Sequence, residues 1–325
     1  MKEEILNLLK QQKGWISGEV ISQKMGITRS AVWKCMKALK EQGYHIESVT
    51  NKGYRLVSSP DVLTWGEIHP FLETRILGQK IYTYDEVDST NYEARRMAER
   101  GAPDGSLFVA EAQNHGRGRL GRSWVAEPGG GIWMSLLLLP QVKPSDVSQI
   151  TLIAGLAVCL AVRQYTGLPA LIKWPNDVLV NGKKICGILT EMTAEIDRVS
   201  SLVVGIGINV NIDQFPATLK DSATSLSMES GRHFARAPLV AGVLNAFERH
   251  YSTFLEQGIT HDFLIQYKQL CATLGRQVKV IKPGSVQEGQ ASDITLAGEL
   301  VVDTDQGTLV VNAGEVSVRG MMGYQ

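Results

Sequence analysis

Between Ile81 and Val210 the chain alternates apolar strand-like runs with apolar helical ones, and this limits the fold more than any single motif does. Runs at 81–87, 107–112, 131–139, 171–174, 177–180, 185–192 and 202–210 have the length and branched or aromatic content of strands. Residues 91–100 and the long apolar 147–165 read as helices, and helices over 239–255 and 262–270 close the region. Strands and helices in this mixture predict a mixed β-sheet with helices packed on it, one part of an α+β multidomain chain.

Before residue 58 the pattern is different. Ile5, Leu8 and Leu9 give a first helix its apolar face, and Val20, Ile21 and Met25 give a second, entered at Ser17 and ended at Gly26. Thr28 suits the N-cap of a third, in which Val32, Cys35, Met36 and Leu39 recur at helical spacing and form a buried stripe. Two strands at 44–49 and 54–57, joined by Thr50-Asn51-Lys52-Gly53, complete a winged helix-turn-helix.

Residues 1–57 hold ten Lys and Arg against five Glu and no Asp, which leaves twenty-three against twenty-eight for the rest of a chain whose totals balance at 33 each. A basic module on an acidic body points to a polyanionic partner for the former. Thr28, Arg29, Ser30, Trp33, Lys34 and Lys37, at the start and on the outer face of the third helix, with Lys52 at the hairpin tip, are the expected DNA contacts. A solvated face on a protein-interaction module has the same composition. Because one such module binds DNA weakly, specific binding is expected of a dimer holding two half-sites.

Ser58-Ser59-Pro60-Asp61 cannot continue the hairpin and marks the first boundary. From residue 274 onward, apolar and polar residues alternate at 278–281, 288–296, 299–303 and 308–311 between glycine turns, the pattern of a small all-β barrel. The expected domains are therefore 1–60, 61–273 and 274–325. Cys35, Cys159, Cys186 and Cys271 lack the paired spacing of a disulfide framework or a zinc site. Met1-Lys2-Glu3-Glu4 opens an amphipathic pattern instead of a signal peptide, and no apolar run reads as long and charge-free enough to cross a bilayer. The expected location is the cytoplasm, with no membrane partner.

The chemistry-bearing motifs of the central region fall in loops or at strand ends. Gly116-Arg117-Gly118-Arg119-Leu120-Gly121 brings backbone amides and two guanidinium groups to one loop, suited to a phosphate or carboxylate, although glycine-rich loops are often only tight turns. Ser89-Thr90-Asn91 opens the 91–100 helix and fits an N-cap. Gln113 precedes the loop, Lys173-Trp174-Pro175-Asn176-Asp177 joins two short strands, and Gly205-Ile206-Gly207-Ile208-Asn209 ends another. By strict alternation Lys184 shares a face with Cys186, Ile188 and Thr190, so its ammonium must snorkel outward or meet an anion. Taken with Arg117 and Arg119, it resembles a site that gathers the negative charge of a carboxylate and a triphosphate, as carboxylate adenylation requires.

Gln113 with Gly116-Arg117-Gly118-Arg119-x-Gly121-Arg122-x-Trp124, then Lys173-Trp174-Pro175-Asn176-Asp177, Lys184-Ile185-Cys186-Gly187-Ile188-Leu189-x-Glu191 and Gly205-x-Gly207-x-Asn209, resemble the biotin protein ligases. The basic amino-terminal module makes the likeness closer to the bifunctional bacterial members that also repress the biotin operon. The resemblance spans essentially the whole chain. It implies a class II synthetase-like biotin ligase fold in the centre and an SH3-like barrel at the carboxy terminus.

It also implies a two-step reaction: biotin and MgATP give biotinyl-5′-adenylate, and a lysine of a biotin carboxyl carrier protein then takes the biotinyl group. By matching positions, Ser89, Thr90, Gln113, Gly116, Arg117 and Lys184 would bind biotin, and Arg119, Trp124, Asn176 and Asn209 the adenylate. Lys184, Arg119 and Asp177 would be catalytic, with Asp177 receiving the incoming lysine. No Mg2+ ligand is assigned. Operator DNA, the carrier protein and a homodimer formed when the adenylate is bound are the implied partners. The segment Asn114-His115 and Leu120 depart from the family pattern, and His115 reads as a solvated loop residue because an ionised carboxylate needs no base for adenylation. A lipoate-type ligase, a biotin-sensing transcription factor without catalysis, and a ligase whose winged helix no longer binds DNA remain as alternatives.

Overall fold

The computed structural model describes residues 1–12, 14–194, 199–282, 285–313 and 317–320. The chain divides into two compact units, 1–70 and 71–325. In the first, α1 (Lys2–Gln11), α2 (Gly18–Met25) and α3 (Arg29–Glu41) are followed by the antiparallel strands β1 (His45–Val49) and β2 (Gly53–Ser58) and the short α4 (Trp65–Ile68). Ser17 and Thr28 cap α2 and α3 by accepting from the amides of Val20 and Ala31, and Gly26 ends α2 in the left-handed region at φ 65°.

The expected stripe Val32, Cys35, Met36 and Leu39 is buried against Ile5, Leu6, Leu9 and Ile21. Val20 is exposed, against expectation, and Leu6 takes the inner position beside Leu9 while Leu8 is only partly buried. The wing is tied to the segment just before α2 by paired bonds between Ile16 and Tyr54. A Cβ at Gly53 would lie 2.1 Å from the Ile16 carbonyl, which is why this turn, at φ 100°, takes glycine.

The second unit is built on a seven-stranded sheet: β3 (Ile81–Val87), β4 (Leu107–Gln113), β5 (Gly131–Leu138), β6 (Leu171–Lys173), β7 (Asp177–Val180), β8 (Lys183–Ala194) and β9 (Val199–Asn209). Their order is β3-β4-β5-β9-β8-β7-β6, with β3 and β4 parallel and the other pairs antiparallel. α5 (Thr90–Glu99) covers one face, its Ala94 packing with Phe108, Leu137 and Val203. α6 (Val147–Thr166) lies on the other face against β6, β7 and β8, and is covered in turn by α8 (Arg236–Gln257), which follows the short α7 (Leu226–Ser230).

The stretch Pro144–Thr166 is in fact long and apolar enough to span a bilayer by length and composition, which corrects the sequence reading. Two-thirds of its apolar window is buried between sheet and helix, and this position accounts for the composition. Arg236, only 1% exposed, fastens α8 to the sheet through the Glu111 carboxylate at 2.8 Å and the Gly131 carbonyl at 3.0 Å.

After α9 (His261–Gln269) comes a five-stranded antiparallel sheet of β10 (Gln277–Lys282), β11 (Ser285–Ile294), β12 (Leu300–Thr304), β13 (Gly307–Val311) and β14 (Ser317–Gly320), in the order β13-β12-β11-β10-β14. Among the described residues no ladder joins β13 to β14. Trp174 donates its indole N–H to the Gly298 carbonyl at 3.1 Å, so this sheet is anchored on the core of the second unit.

Candidate functional site

The cleft lies on the α5 face of the sheet, where Gly187 of β8 and Gly207 of β9 are cross-strand partners. The indole of Trp124 rests on this pair: a Cβ at Gly187 would lie 2.8 Å from its ring and one at Gly207 2.7 Å. Glycine at both positions thus makes a flat floor for a planar group. Trp124 returns from the glycine-arginine loop, which pairs with itself as a small hairpin through Trp124 N–H to the Gly116 carbonyl at 2.8 Å and Gly118 N–H to the Arg122 carbonyl at 2.7 Å. A Cβ at Gly116 would meet the Trp124 carbonyl at 2.5 Å, so the close return requires glycine there.

Lys184 reaches the same floor, and this corrects the alternation argument. The β7–β8 register shifts as Val178 pairs with Cys186 and Leu179 with Lys184, leaving Ile185 as an extra residue. Cys186, Ile188 and Thr190 keep to the α6 face, where Thr151 and Thr190 hydroxyls meet at 2.8 Å, while Lys184 Nζ would stand 3.0 Å from a Cβ on Gly187. The ammonium pairs with Asp177 Oδ1 at 2.6 Å and lies 5.3 Å from the Trp124 ring centroid. It meets an anion instead of snorkelling.

Arg119 donates to Asn176 Oδ1 at 2.9 Å and to the Ala313 carbonyl at 2.5 Å, drawing the loop to the carboxy-terminal segment. Burial pulls its guanidinium below the ordinary value, with the Asp177 charge opposing. Asn176 is itself fixed by its amide donating to the Ile188 carbonyl at 3.0 Å.

At the other end of the cleft, Gln113 Oε1 accepts the Thr90 amide at 2.8 Å and its hydroxyl at 3.1 Å. An N–H can bond only to the oxygen, so the Gln113 side-chain NH2 is the part left to donate to a ligand. Ser89 lines the cleft as expected, but its side chain does not cap α5, contrary to the N-cap reading.

Ser89, Thr90, Gln113, Arg117, Arg119, Trp124, Asn176 and Lys184 therefore converge on one cleft, with Asp177 against Lys184 and Gly116 shaping the loop. Asn209 does not line it. Its amide donates to the Thr224 carbonyl at 3.1 Å and, at 3.5 Å, to that of Lys184, so it fastens the segment before α7 to β8. His115 is exposed, as read. Sequence reasoning missed Ser135 and Tyr92, and gave Asn91 a place only in the tract that opens α5. Ser135 is fully buried and hydrogen-bonds Asn91 Oδ1 at 2.6 Å, Arg117 donates to the Tyr92 hydroxyl at 2.8 Å, and none of these contacts has a local signal beyond the Ser89-Thr90-Asn91 tract.

In the first unit, Thr28, Arg29, Ser30, Trp33, Lys34, Lys37 and Lys52 are all exposed, the first six at the start and along the outer face of α3 and Lys52 at the wing. Arg29 is ion-paired with Glu19, and Lys37 lies 5.9 Å from the Trp33 ring centroid. Lys52 and Arg55 both lie over Trp15, a wing grouping that the sequence pattern did not suggest.

Residues 84–209 match the biotin/lipoate A/B protein ligase family, residues 2–55 an HTH domain and residues 273–319 the biotin protein ligase C-terminal domain. The chain is similar to the bifunctional ligase/repressor BirA of Bacillus spizizenii, at 39% identity over 98% of both chains. It is similar also to the BirA of Escherichia coli, at 26% over 93% of this chain and 92% of that one. Among solved structures, biotin protein ligase from Aquifex aeolicus in complex with biotin and ATP matches 74% of this chain and 99% of its own, with 32% identity and a TM-score of 0.66. With the winged helix, the ligase core and the C-terminal strands in this order, the chain belongs to the bifunctional biotin protein ligase/repressor family.

Proposed function

We propose that the chain joins biotin to ATP as biotinyl-5′-adenylate with release of pyrophosphate, and transfers the biotinyl group to one lysine of a biotin carboxyl carrier protein with release of AMP. The observation that carries this reading is the convergence of Lys184, Arg119 and Asp177, from three separate segments, at one end of a cleft whose other end is neutral and hydrogen-bonding. That polarity matches a molecule with an uncharged ring at one end and a carboxylate at the other.

Ser89, Thr90 and the donor NH2 of Gln113 meet the ureido ring, with Gly116 and Arg117 closing over it. Lys184 holds the biotin carboxylate as it attacks the α-phosphorus of ATP and, with Arg119, offsets the charge that builds on the phosphoryl oxygens. Asn176 keeps Arg119 in place, and Trp124 covers the glycine floor beside the adenine. Asn209 contributes indirectly, by holding the 222–224 segment.

In the second step the carrier's lysine must arrive as a neutral amine. Asp177 is the carboxylate placed to orient it and take its proton, and Lys184 stays to stabilise the tetrahedral intermediate. Among the described residues no three His, Cys, Asp or Glu side chains gather as a metal site; Mg2+ enters as the partner of the ATP phosphates.

The functional division follows 1–60 for operator DNA, 61–273 for biotin and ATP, and 274–325 for support of the loop and the carrier. Bound adenylate orders the loops, favours the homodimer and so makes the chain a biotin-responsive repressor working in the cytoplasm. Incubation with ATP and either biotin or lipoate, scored by pyrophosphate release, tests the ligand: biotin alone should give an adenylate, and lipoate alone would overturn the reading. Sedimentation with biotin and with adenylate tests the switch, since a monomer–dimer balance indifferent to both would sink it.

A further inference from the structure

Behind two of the residues that line the cleft, Arg117 and Asn91, stands an acid that neither half-reaction requires. Glu191 stands on β8 on the same side as Gly187, and beside a site that gathers cations for a carboxylate and a phosphate, another carboxylate works against ligand binding. Its surroundings give it a different task. Glu191 Oε1 lies 3.6 Å from Arg117 Nη1, the guanidinium of the glycine-arginine loop, which also donates to the Tyr92 hydroxyl at 2.8 Å and lies 5.2 Å from that ring's centroid.

Glu191 Oε2 accepts Asn91 Nδ2 at 2.8 Å. Asn91, only 4% exposed, in turn accepts the Ser135 hydroxyl at 2.6 Å, and Ser135 Oγ lies 2.7 Å from the Thr90 hydroxyl that meets Gln113. The sheet makes room for this line of contacts: a Cβ at Gly205 would stand 2.2 Å from Asn91 Oδ1.

We infer that Glu191 is a positioning residue for ligand capture: through Arg117 it holds the 116–124 loop closed, and through Asn91 and Ser135 it ties that closure to Thr90 and Gln113 at the neutral end of the cleft. This rests on the reading of that end as the biotin ring site. Along β8 Glu191 stands four residues, about 13 Å, from Gly187, which the Lys184 ammonium reaches, so it acts on how long biotin stays and not on the acyl-phosphate chemistry.

The test compares Glu191→Gln with the unaltered full chain. A glutamine oxygen still accepts from Asn91, but its NH2 then faces the Arg117 guanidinium, donor against donor. Biotin dissociation, followed by stopped-flow tryptophan fluorescence, should be about two- to fivefold faster, the range of a partly exposed ion pair, with adenylation kcat at saturating biotin and ATP unchanged. The ratio of the two dissociation rates should fall toward one as salt is raised. Arg117→Gln and the Arg117→Gln/Glu191→Gln double variant should release biotin at the same rate, because Glu191 acts through Arg117.

An E191Q rate equal to the unaltered chain's, a ratio indifferent to salt, or a double variant faster than R117Q alone would each overturn the inference. Failure of the unaltered chain to bind biotin would instead overturn the reading beneath it.

Discussion

Lys184→Ala should lower kcat/KM for adenylation by about 10²–10³, the loss typical of a group that stabilises developing negative charge. Pyrophosphate release measures it, and a loss under tenfold would speak against the assignment. The presence of Lys184 in an apolar strand is visible in the sequence, and so is its choice between snorkelling and an anion. Its face is not, because one extra residue, Ile185, reverses the alternation and a bulge has no period of its own. Likewise the pairing of Gly187 with Gly207 under Trp124 depends on strand register, which two separate motifs do not contain. Gly207→Ala places a methyl where the indole lies, so Trp124 emission should change in the ligand-free chain and adenylation should weaken; unchanged spectra and rates would mean that the floor tolerates a Cβ.

Elements were read more reliably than contacts. β3 and β7 fall where the strand patterns put them, and α3 is capped by Thr28 with its whole predicted stripe buried. The short α4 and α7 and the strand β14 escaped notice, since four or five residues carry too little periodicity to register. At the start of α5, Asp88 is held by Arg96 at 3.0 Å and accepts the Ser89 amide at 2.6 Å. The Arg96 hydrogen bond, against some desolvation, draws its carboxyl below the usual range. A depressed folded pKa means stabilisation that is complete above the unfolded value, about 3.9, and lost as pH falls through the folded one. Asp88→Asn should therefore be less stable than the unaltered chain above about pH 4, with the two converging in stronger acid. Urea unfolding across pH 2–7 reads this directly, and a gap that widens in acid would contradict it.

At the scale of the molecule, composition already divided the chain, since the excess of basic side chains is confined to the segment that folds as the first unit. What local pattern could not show is a contact such as Arg119 with the Ala313 carbonyl, where residues far apart in sequence bring the carboxy-terminal segment to the glycine-arginine loop. Two compact units with two proposed tasks should be separable. Leu39, fully buried in the first unit, should on replacement by Ala destabilise that unit by about 2–5 kcal/mol and weaken DNA binding, while adenylation by the second unit persists; parallel loss of both would deny the division.

The central claim is ligation, and transfer of labelled biotin to an apo-carrier domain tests it most directly. The label should appear on the carrier only with ATP present and only if the acceptor lysine is intact, and should be lost with Lys184→Ala. A chain that binds biotin and DNA yet leaves the carrier unlabelled would contradict the account.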